Sequence, residues 1–207
     1  MKKIMFNDRY GLTRAVLSGR KTQTRRIIPK SFFSTTHDIE DDNTLVFEDS
    51  FGDWHDIREI NYALKVGEVV AIAQSYKEAG INPKAVIGLP IKGSKTKGVL
   101  QCEAQHTPGW TNKMFVRADL MPHHIRITNV RVERLQDISD EDCIKEGIEW
   151  DHKAQRFYVR YDSKKHSRMW FADTPRETYA ALIDKISGKG TWDSNPYVFV
   201  YDFELVD

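Results

Sequence analysis

Short runs and regular sets of apolar residues along the chain predict much of its secondary structure. The apolar run from Ile4 to Phe6 predicts a first strand. Leu12, Ala15 and Val16 then fall at the spacing of one helix face. Gly19 follows where a residue in the left-handed conformation commonly ends a helix. We therefore expect the chain to begin with a strand and a short helix.

Four later segments have the composition of strands. Residues 67–73 are an apolar run that begins with a glycine turn, which is typical of a buried strand. Residues 124–135 alternate between apolar and charged positions, and the alternation changes phase near Asn129, which predicts a bulge or turn within a long strand. Residues 157–161 and 197–205 are rich in aromatic and β-branched residues, and they predict two further strands.

Capping residues mark two further helices. Ser139 and Gly147 bracket a short helix over residues 140–146, with the serine as N-cap and the glycine just past the end. The segment Thr174–Glu177 combines a capping box with proline at the first helical position, which is a strong signal for a helix start. The apolar face predicted for this second helix consists of Tyr179, Leu182, Ile183 and Ile186.

The order of these elements indicates the fold class. Strands outnumber helices and do not alternate with them, which is typical of an α+β fold with a mixed or antiparallel sheet, including a barrel-like one, rather than a doubly wound fold. Residues 31–62 are acidic and are interpreted as an insertion, with a strand signal at residues 44–47. Residues 77–98 are rich in Gly, Pro and Lys and predict a long loop.

The composition predicts a single domain and does not by itself indicate a partner. The chain has 207 residues, 40% of them hydrophobic and 11% aromatic, which is enough for one domain with a sizeable core. Lys and Arg number 31 against 30 Asp and Glu, so the formal net charge is +1. A nucleic-acid or membrane-surface function would therefore have to rest on local clusters of charge.

Cysteine use and the distribution of apolar residues predict a cytoplasmic protein without a membrane span. Cys102 and Cys143 have no companion ligands at zinc spacing, so we expect no metal site, and two isolated thiols are typical of a reducing compartment. The first apolar run is interrupted too early for a signal peptide. No apolar stretch approaches the roughly 20 residues of a membrane helix. No motif predicts a cofactor.

A cluster of basic residues follows the first predicted helix. Residues 20–30 contain five cations and no acidic residue, the cations being Arg20, Lys21, Arg25, Arg26 and Lys30. On a nearly neutral chain, this cluster predicts a local positive field that suits a phosphate or a nucleotide. The alternative is a solvated basic edge whose arginines pair with the acidic insertion. The spacing favours neither interpretation.

Lys21 and Thr24 within this cluster could form an activated nucleophile. In a plain strand their side chains would point to opposite faces, whereas in a turn leaving the helix they could converge. Crowding by Arg20, Arg25 and Arg26 disfavours the charged lysine and predicts a lowered pKa. A neutral lysine beside a hydroxyl can activate it for attack. The alternative, which the residues alone favour, is a Thr24 hydroxyl bonded to backbone and a solvated Lys21.

Three segments of the chain resemble the ASCH (activating signal cointegrator homology) family. Leu17–Arg26 resembles the signature of the family. Val130–Ile148 resembles its long strand and the short helix after it, and Trp192–Phe203 resembles the closing strand of larger members found in phages and mobile elements. These segments cover the two ends and the centre of the chain. Residues 31–62 and 77–113 fall outside the resemblance and are interpreted as insertions.

The resemblance implies a PUA-like fold and a set of site residues. That fold is a small β-barrel with helices packed on it and a cleft suited to RNA, a nucleotide or a modified base. Some small bacterial members are amidohydrolases of N4-acetylcytidine, and their catalytic lysine, threonine and glutamate correspond to Lys21, Thr24 and Glu146. The resemblance then implies that Thr24 attacks the acetyl carbonyl, that Lys21 takes its proton, and that Glu146 positions Lys21 or the leaving amine.

Three functions stay open from the sequence. The first is an ASCH-type domain that binds RNA or a modified nucleotide through Arg20, Lys21, Arg25 and Arg26. The second is an amidohydrolase that removes the acyl group from N4-acetylcytidine or a related base. The third is a structural or interaction protein of a phage or mobile element, with the two insertions as contact surfaces.

A second basic run is interleaved with aromatic residues. Its basic residues are Lys153, Arg156, Arg160, Lys164, Lys165, His166 and Arg168, and its aromatic residues are Phe157, Tyr158, Tyr161 and Trp170. This pattern suits single-stranded nucleic acid, because rings stack on bases while cations meet phosphates. The alternative is an amphipathic hairpin whose aromatic side chains lie in the core, and the pattern favours this hairpin.

Overall fold

The computed structural model describes residues 1–29, 37–39, 45–48, 51–61, 63–83, 105–162 and 167–206. Its strands are β1 (Lys3–Ile4), β2 (Gln23–Ile27), β3 (His37–Ile39), β4 (Leu45–Glu48), β5 (Trp54–Asp56), β6 (Val69–Ile72), β7 (His124–Arg134), β8 (Glu149–Asp151), β9 (Arg156–Asp162), β10 (Ser167–Ala172) and β11 (Tyr197–Leu205). Its α-helices are α1 (Leu12–Leu17), α2 (Asp140–Lys145), α3 (Pro175–Ser187) and α4 (Thr191–Ser194). The predicted α+β class, with mostly antiparallel strand pairs, is confirmed.

The chain forms two compact units that each combine separate segments. The smaller unit comprises Met1–Phe6, Val69–Ile125 and Leu205–Asp207. The larger unit comprises Asn7–Glu68 and Arg126–Glu204. The sequence predicts a single domain, and that stays a prediction.

The smaller unit is built on one parallel strand pair and an apolar cluster. β1 runs parallel to β6, with Ile4 opposite Ile72. Val70 and the following residues to Ala73 are fully buried, which confirms the buried strand predicted at residues 67–73. The cluster around it consists of Ala71, Ala73, Tyr76, Val116 and Met121, with Ile81, Trp110, Ala118 and Leu120 packed against them.

Gly109 in the smaller unit is required for a close approach to Tyr76. Its φ is +92°, and a Cβ atom there would lie 2.6 Å from Tyr76 Cε2 and 3.2 Å from the Phe115 carbonyl oxygen. The ring of Tyr76 cannot easily move, since its hydroxyl accepts a hydrogen bond of 3.0 Å from the Arg117 N–H. Any side chain at Gly109 would therefore be both strained and overpacked.

Gly109→Ala is expected to destabilise the protein by about 2–5 kcal/mol, because left-handed strain costs roughly 1–2 kcal/mol and overpacking roughly 1–3 kcal/mol. Gly80→Ala is the matched control, since Gly80 has a φ of +67° and open space around its missing Cβ. That control should show the strain alone. Urea unfolding of both variants measures the difference, and equal losses for the two would contradict the role of Tyr76.

The larger unit holds three neighbouring strands in the order β7-β11-β2. β11 pairs with β2 in antiparallel fashion, with Val200 opposite Arg25 and Tyr201 opposite Thr24. Val198, Phe199 and Val200 are fully buried, so β11 forms part of the core of this unit. The terminal strand and the long strand predicted at residues 124–135 are both confirmed.

Two antiparallel sheets complete the larger unit. One has the order β10-β9-β8, in which Arg168 pairs with Tyr161 and Trp170 with Val159. The other has the order β3-β4-β5. The described strands form open sheets with end strands rather than a closed barrel, so the predicted β-barrel is not confirmed.

The helices begin and end near the predicted caps. In α2 the Ser139 side chain accepts a hydrogen bond from the Asp142 N–H, and in α3 Thr174 and Glu177 form the predicted capping box. Caps of this kind contribute about 1 kcal/mol each. The predicted apolar face of α3 is wrong at Ile186, which is 37% exposed because it lies in the last turn, just before the chain leaves the helix.

Some predicted features lie outside the described residues, namely Lys30, Cys102, Lys164, Lys165, His166 and parts of the two insertions. In the described part of the first insertion, Phe51 and Trp54 are 88% and 49% exposed. A contact role for this insertion stays a prediction. Among the described helices, none has the length and apolar character needed to cross a membrane.

Candidate functional site

The end of α1 sets the position of Lys21. Gly19 has a φ of +72°, which reverses the chain after the helix in a conformation that favours glycine. The N–H groups of Arg20 and Lys21 then both donate to the carbonyl of Ala15, at 2.9 and 3.0 Å. The predicted helix end at Gly19 is therefore confirmed, and the reversal places the basic segment against its own helix.

Thr22 attaches this segment to α2 and to β11. Its N–H donates to the Lys145 carbonyl at 3.0 Å, and its carbonyl accepts from the Phe203 N–H at 2.9 Å. Because successive carbonyls along a strand point in opposite directions, the Gln23 carbonyl points away from β11. Lys21 Nζ donates to that carbonyl at 2.7 Å. Lys21 therefore reaches the outer edge of β2.

Lys21 and Glu146 form a buried ion pair. Lys21 Nζ lies 2.5 Å from Glu146 Oε2, and the two side chains are 1% and 6% exposed. Nζ also donates to the Glu146 main-chain carbonyl at 2.9 Å. Glu146 is the C-cap of α2, and Gly147 after it adopts a φ of +103° that turns the chain. The helix end thus presents both a carbonyl and a carboxylate to the lysine.

Burial makes Lys21 easier to deprotonate than a solvated lysine. It lowers the pKa of the Lys21 ammonium below its ordinary value, while the charge and hydrogen bond of Glu146 oppose that shift. The charges of Arg26 and Arg25 lower the pKa further. The lowered pKa agrees in direction with the sequence prediction, but crowding by like charges is a smaller cause than burial.

Arg25 fixes the carboxylates around this ion pair from within β2, and its side chain is fully buried. Its guanidinium donates to Glu133 Oε1 at 2.6 and 3.0 Å, to Asp142 Oδ2 at 3.1 Å, to Glu146 Oε1 at 3.3 Å and to Gln23 Oε1 at 2.5 Å. Glu146 thus bridges Arg25 and the buried lysine, one carboxylate oxygen to each.

The carboxylates around Arg25 stabilise its positive charge. Burial alone would lower the pKa of Arg25, but the carboxylates of Glu146 and Glu133 raise it above its ordinary value. Arg131 extends the network, since its guanidinium lies 2.7 Å from both Asp142 Oδ2 and Asp202 Oδ2. Buried cations and carboxylates therefore neutralise one another, and the cluster is rigidly cross-linked.

Thr24 lies on the opposite face of β2 from Gln23 and Arg25. In the antiparallel register Gln23 pairs with Asp202, and their side chains are joined by a hydrogen bond of 2.6 Å. Thr24 pairs with Tyr201 and is almost fully buried. Because side chains alternate along a strand, Thr24 and Tyr201 share the other face. The structure brings Lys21 and Glu146 into contact, but it separates Thr24 from the Arg25 network.

The residues predicted to bind a nucleotide differ in exposure. Lys21 and Arg25 are buried in ion pairs, so their charges face carboxylates of the chain itself. Arg20 is exposed, and its Nη1 lies 2.6 Å from Glu149 Oε1. Arg26 is partly buried. The positive field predicted for this segment is therefore largely neutralised, and Arg20 is the most accessible of the four cations.

Sequence reasoning missed the carboxylates that surround Arg25. Glu133 and Asp142 lie 108 and 117 positions away from it along the chain. The strand period of two would have separated Arg25 from Arg26, since alternate residues face opposite sides of a sheet. No local pattern indicates which carboxylates a buried arginine meets, because those contacts depend on the pairing of distant elements.

The thiol of Cys143 lies near this network and is unreactive in character. Burial raises its pKa to about 12, which disfavours the thiolate that metals and electrophiles require. Among the residues that the structure describes, no three His, Cys, Asp or Glu side chains are placed to share a metal ion.

No family model matches the chain, and neither a curated protein nor a solved structure matches it. Membership of the ASCH family thus stays a prediction, and it rests on the three segments that carry the resemblance. The functional roles of Lys21, Thr24 and Glu146, and of Arg20, Arg25 and Arg26, stay predictions.

Proposed function

We propose that this protein is an ASCH-type domain with a PUA-like fold that hydrolyses the N-acyl group of N4-acetylcytidine or a related modified base. The observation that carries the proposal is the buried contact of 2.5 Å between Lys21 Nζ and Glu146 Oε2. These two residues lie 125 positions apart, and the resemblance alone paired them as catalytic residues. Their convergence supports a shared role.

The reaction is a two-step acyl transfer. Thr24 Oγ attacks the acyl carbonyl carbon while Lys21 accepts the hydroxyl proton, and a tetrahedral oxyanion forms. The C–N bond then breaks, Lys21 returns the proton to the departing amine, and the acyl group stays on Thr24 as an ester. Water, deprotonated by Lys21, attacks the carbonyl carbon of this ester. The C–O bond to Thr24 then breaks, Lys21 returns the proton to the Thr24 oxygen, and the carboxylic acid is released. The net reaction consumes one water and regenerates Thr24.

The contacts of Lys21 support its role as general base. A general base must be neutral to accept a proton, and burial shifts the pKa of Lys21 in that direction. Glu146 holds the amine in one position through its carboxylate and its carbonyl. Arg25 in turn holds Glu146 from the other side, at 3.3 Å. The base is therefore oriented by a second residue and that residue by a third, as acyl-transfer sites require.

The position of Thr24 defines where the substrate would approach. Since Thr24 and Tyr201 share one face of β2, the acyl carbonyl would come from that face. Lys21 Nζ lies beside the Gln23 carbonyl at the outer edge of the strand, which borders both faces. The proton of the Thr24 hydroxyl would pass to Lys21 Nζ at this edge of the strand.

Hydrolysis of N4-acetylcytidine by the purified protein tests the proposal. Wild type is expected to release cytidine and acetate. Thr24→Val keeps the branched shape of the side chain but removes the nucleophilic oxygen, and it should reduce turnover by a factor of about 10³ or more, the scale of effects that follow loss of an essential nucleophile. Thr24→Ser is the matched control, because it keeps the hydroxyl and should retain turnover within about tenfold.

Two outcomes would contradict the proposal. The first, absence of turnover by the wild type, would contradict the activity itself, and the second, equal turnover by Thr24→Val and wild type, would contradict the role of Thr24 as its nucleophile. Circular dichroism of each variant verifies that the fold is intact, so that loss of activity is not mistaken for unfolding.

A binding domain without catalysis is the second candidate, an ASCH-type domain that recognises RNA or a modified nucleotide. It is favoured by the placement of Thr24 on the face of β2 opposite Arg25. It is also favoured by Lys21, whose ammonium already donates to three acceptors. Saturable binding of N4-acetylcytidine by wild type, measured by calorimetry without any release of acetate, would select this candidate over the hydrolase.

A further inference from the structure

A second concave surface lies in the larger unit, between the turn Asp8–Tyr10, the β9–β10 hairpin and α3. It has a volume of about 510 Å³, within the usual range for small-ligand sites. We call it the basic cleft. Its lining residues are Arg9, Tyr10, Val159, Tyr161, Arg168, Met169, Trp170, Ala181, Leu182 and Lys185. None of Lys21, Thr24 and Glu146 is among them.

The hairpin aligns aromatic and basic side chains along one face. Arg168 pairs with Tyr161 and Trp170 pairs with Val159 across the two strands. Directly paired residues in an antiparallel ladder share a face, so these four side chains lie on the same side of the hairpin. α3 packs against both strands. This face therefore forms one wall of the basic cleft.

Arg9 is held over the edge of the hairpin by Tyr161. Its guanidinium carbon lies 4.7 Å from the centre of the Tyr161 ring, and its Nη2 donates to the Tyr161 hydroxyl. The Tyr10 ring packs against the same tyrosine, at 5.5 Å between centroids. A cation–π contact and a hydrogen bond leave the charge of Arg9 in place without neutralising it.

The basic cleft carries cations without carboxylates. Arg9, Arg168 and Lys185 line it and are exposed, and no Asp or Glu is among its lining residues. Within the described part of the chain, none of these three cations forms an ion pair with a carboxylate of the protein. In contrast to the network around Arg25, the positive charge here faces solvent and is available to an anionic ligand.

The basic cleft also presents an exposed aromatic ring. Trp170 is 51% exposed, whereas Tyr10, Val159 and Leu182 are buried and close the floor of the cleft. A large half-exposed ring beside unneutralised cations combines a stacking surface with phosphate-binding charges. The amphipathic hairpin favoured by the sequence pattern exists, but it keeps its tryptophan outside the core.

We propose that the basic cleft binds single-stranded nucleic acid, with a base stacked on Trp170 and backbone phosphates held by Arg9, Arg168 and Lys185. A single strand fits better than a duplex, because its bases are unstacked and can reach the ring. An acidic peptide without aromatic residues would meet the cations but would offer no flat ring for Trp170. This site goes beyond the proposed hydrolysis and does not depend on it.

Fluorescence anisotropy with a short fluorescein-labelled oligouridine tests the stacking contact. Trp170→Ala is expected to weaken binding by about tenfold, the scale of one lost base–aromatic stack. Trp54→Ala is the matched control, since Trp54 is similarly exposed but lies on β5 and is not among the lining residues of the cleft. The control should bind as wild type does. Equal affinity of Trp170→Ala and wild type would overturn the proposal.

Salt titration tests the phosphate contacts. With three cations engaged, the logarithm of the association constant should fall against the logarithm of salt concentration with a slope of about −2. Arg168→Ala and Lys185→Ala should each flatten this slope by about 0.7. Lys77→Ala, which removes an exposed lysine that does not line the cleft, should leave it unchanged. A slope that is the same in all variants would contradict the assignment.

Competitors separate the chemical classes that could occupy the cleft. Unlabelled oligouridine and oligodeoxythymidine should both displace the probe, because neither stacking nor phosphate contacts require a 2′-hydroxyl. Polyphosphate has charge without bases and should compete at least tenfold less well than the oligonucleotides. Displacement by polyphosphate or polyglutamate as efficient as by oligouridine would show a general anion site and overturn the proposal.

Discussion

Replacing Arg25 by alanine is expected to lower the free energy of unfolding by about 3–5 kcal/mol, the usual scale when one partner of a buried ion pair is removed. The side chain is fully buried and is bound by Glu133, Asp142 and Glu146. Without Arg25, these carboxylates would stay in a poorly solvated environment with less compensating charge. The cost therefore arises from the charges left behind as well as from the lost contacts.

Arg20→Ala is the matched control for this prediction. Arg20 belongs to the same basic segment and also forms an ion pair, with Glu149 at 2.6 Å, but its side chain is 41% exposed. Solvent screens such a pair, so its loss should cost less than about 1 kcal/mol. The comparison isolates the effect of burial from the loss of one arginine.

Urea unfolding monitored by circular dichroism measures both variants. The expected result is a lower midpoint for Arg25→Ala with an unchanged slope, and a nearly unchanged midpoint for Arg20→Ala. Similar midpoints for the two variants would contradict the prediction that the buried charge of Arg25 stabilises the fold. They would also remove the basis for its proposed role in holding Glu146.

The sequence predicts local structure well where a few neighbouring residues determine it. Ser139 and the Thr174–Glu177 capping box mark helix starts because their side chains bond to nearby backbone N–H groups. Gly19 marks a helix end because its left-handed conformation is costly for other residues. Such signals involve contacts within a few positions, and they need no knowledge of the rest of the fold.

The partners of the basic segment could not be predicted in this way. Arg25 and Arg26 are adjacent and chemically alike, yet the side chain of the first is fully buried and the second residue is only partly buried. The difference arises from strand alternation combined with the pairing of β2 with β11, which no local pattern determines. The sequence prediction therefore assigns one phosphate-binding role to all the cations of the segment, although these residues differ in how deeply they are buried.

The two basic segments differ in the structure in the carboxylates that lie around them. The cluster at residues 20–30 has the denser charge in sequence, but Lys21 and Arg25 are neutralised by carboxylates brought from α2 and β7. The run at residues 153–168 contributes Arg168 to a cleft without carboxylates, where Arg9 and Lys185 join it from distant positions. Charge density along the chain is thus a poorer guide to an anion site than the balance of charges in space.

Lys21→Met is expected to reduce kcat/KM for N4-acetylcytidine by about 10² to 10⁴, the range for loss of a general base. Methionine approximates the length and volume of the buried side chain, and Arg25 still compensates the Glu146 carboxylate. The variant should therefore stay folded while losing activity. Retained hydrolysis in a folded Lys21→Met protein would exclude the lysine as the base.

The pH dependence of hydrolysis gives a readout that a merely structural ion pair would not produce. In the proposed mechanism neutral Lys21 is the active form, so kcat/KM should rise with pH as the ammonium loses its proton. Because burial lowers the pKa of Lys21, the midpoint of this rise should lie below the ordinary lysine value of about 10.4. Lys21→Met should lack this rise.

Glu146→Gln should move the midpoint to still lower pH. The charge and hydrogen bond of Glu146 raise the pKa of Lys21 against the effect of burial, and glutamine keeps the shape of the side chain while removing the charge. Deprotonation then requires less alkaline conditions, even if the maximal rate falls because the amine is held less firmly. A midpoint that is unchanged, or that moves to higher pH, would contradict the assignment of Glu146 as the residue that tunes and positions Lys21.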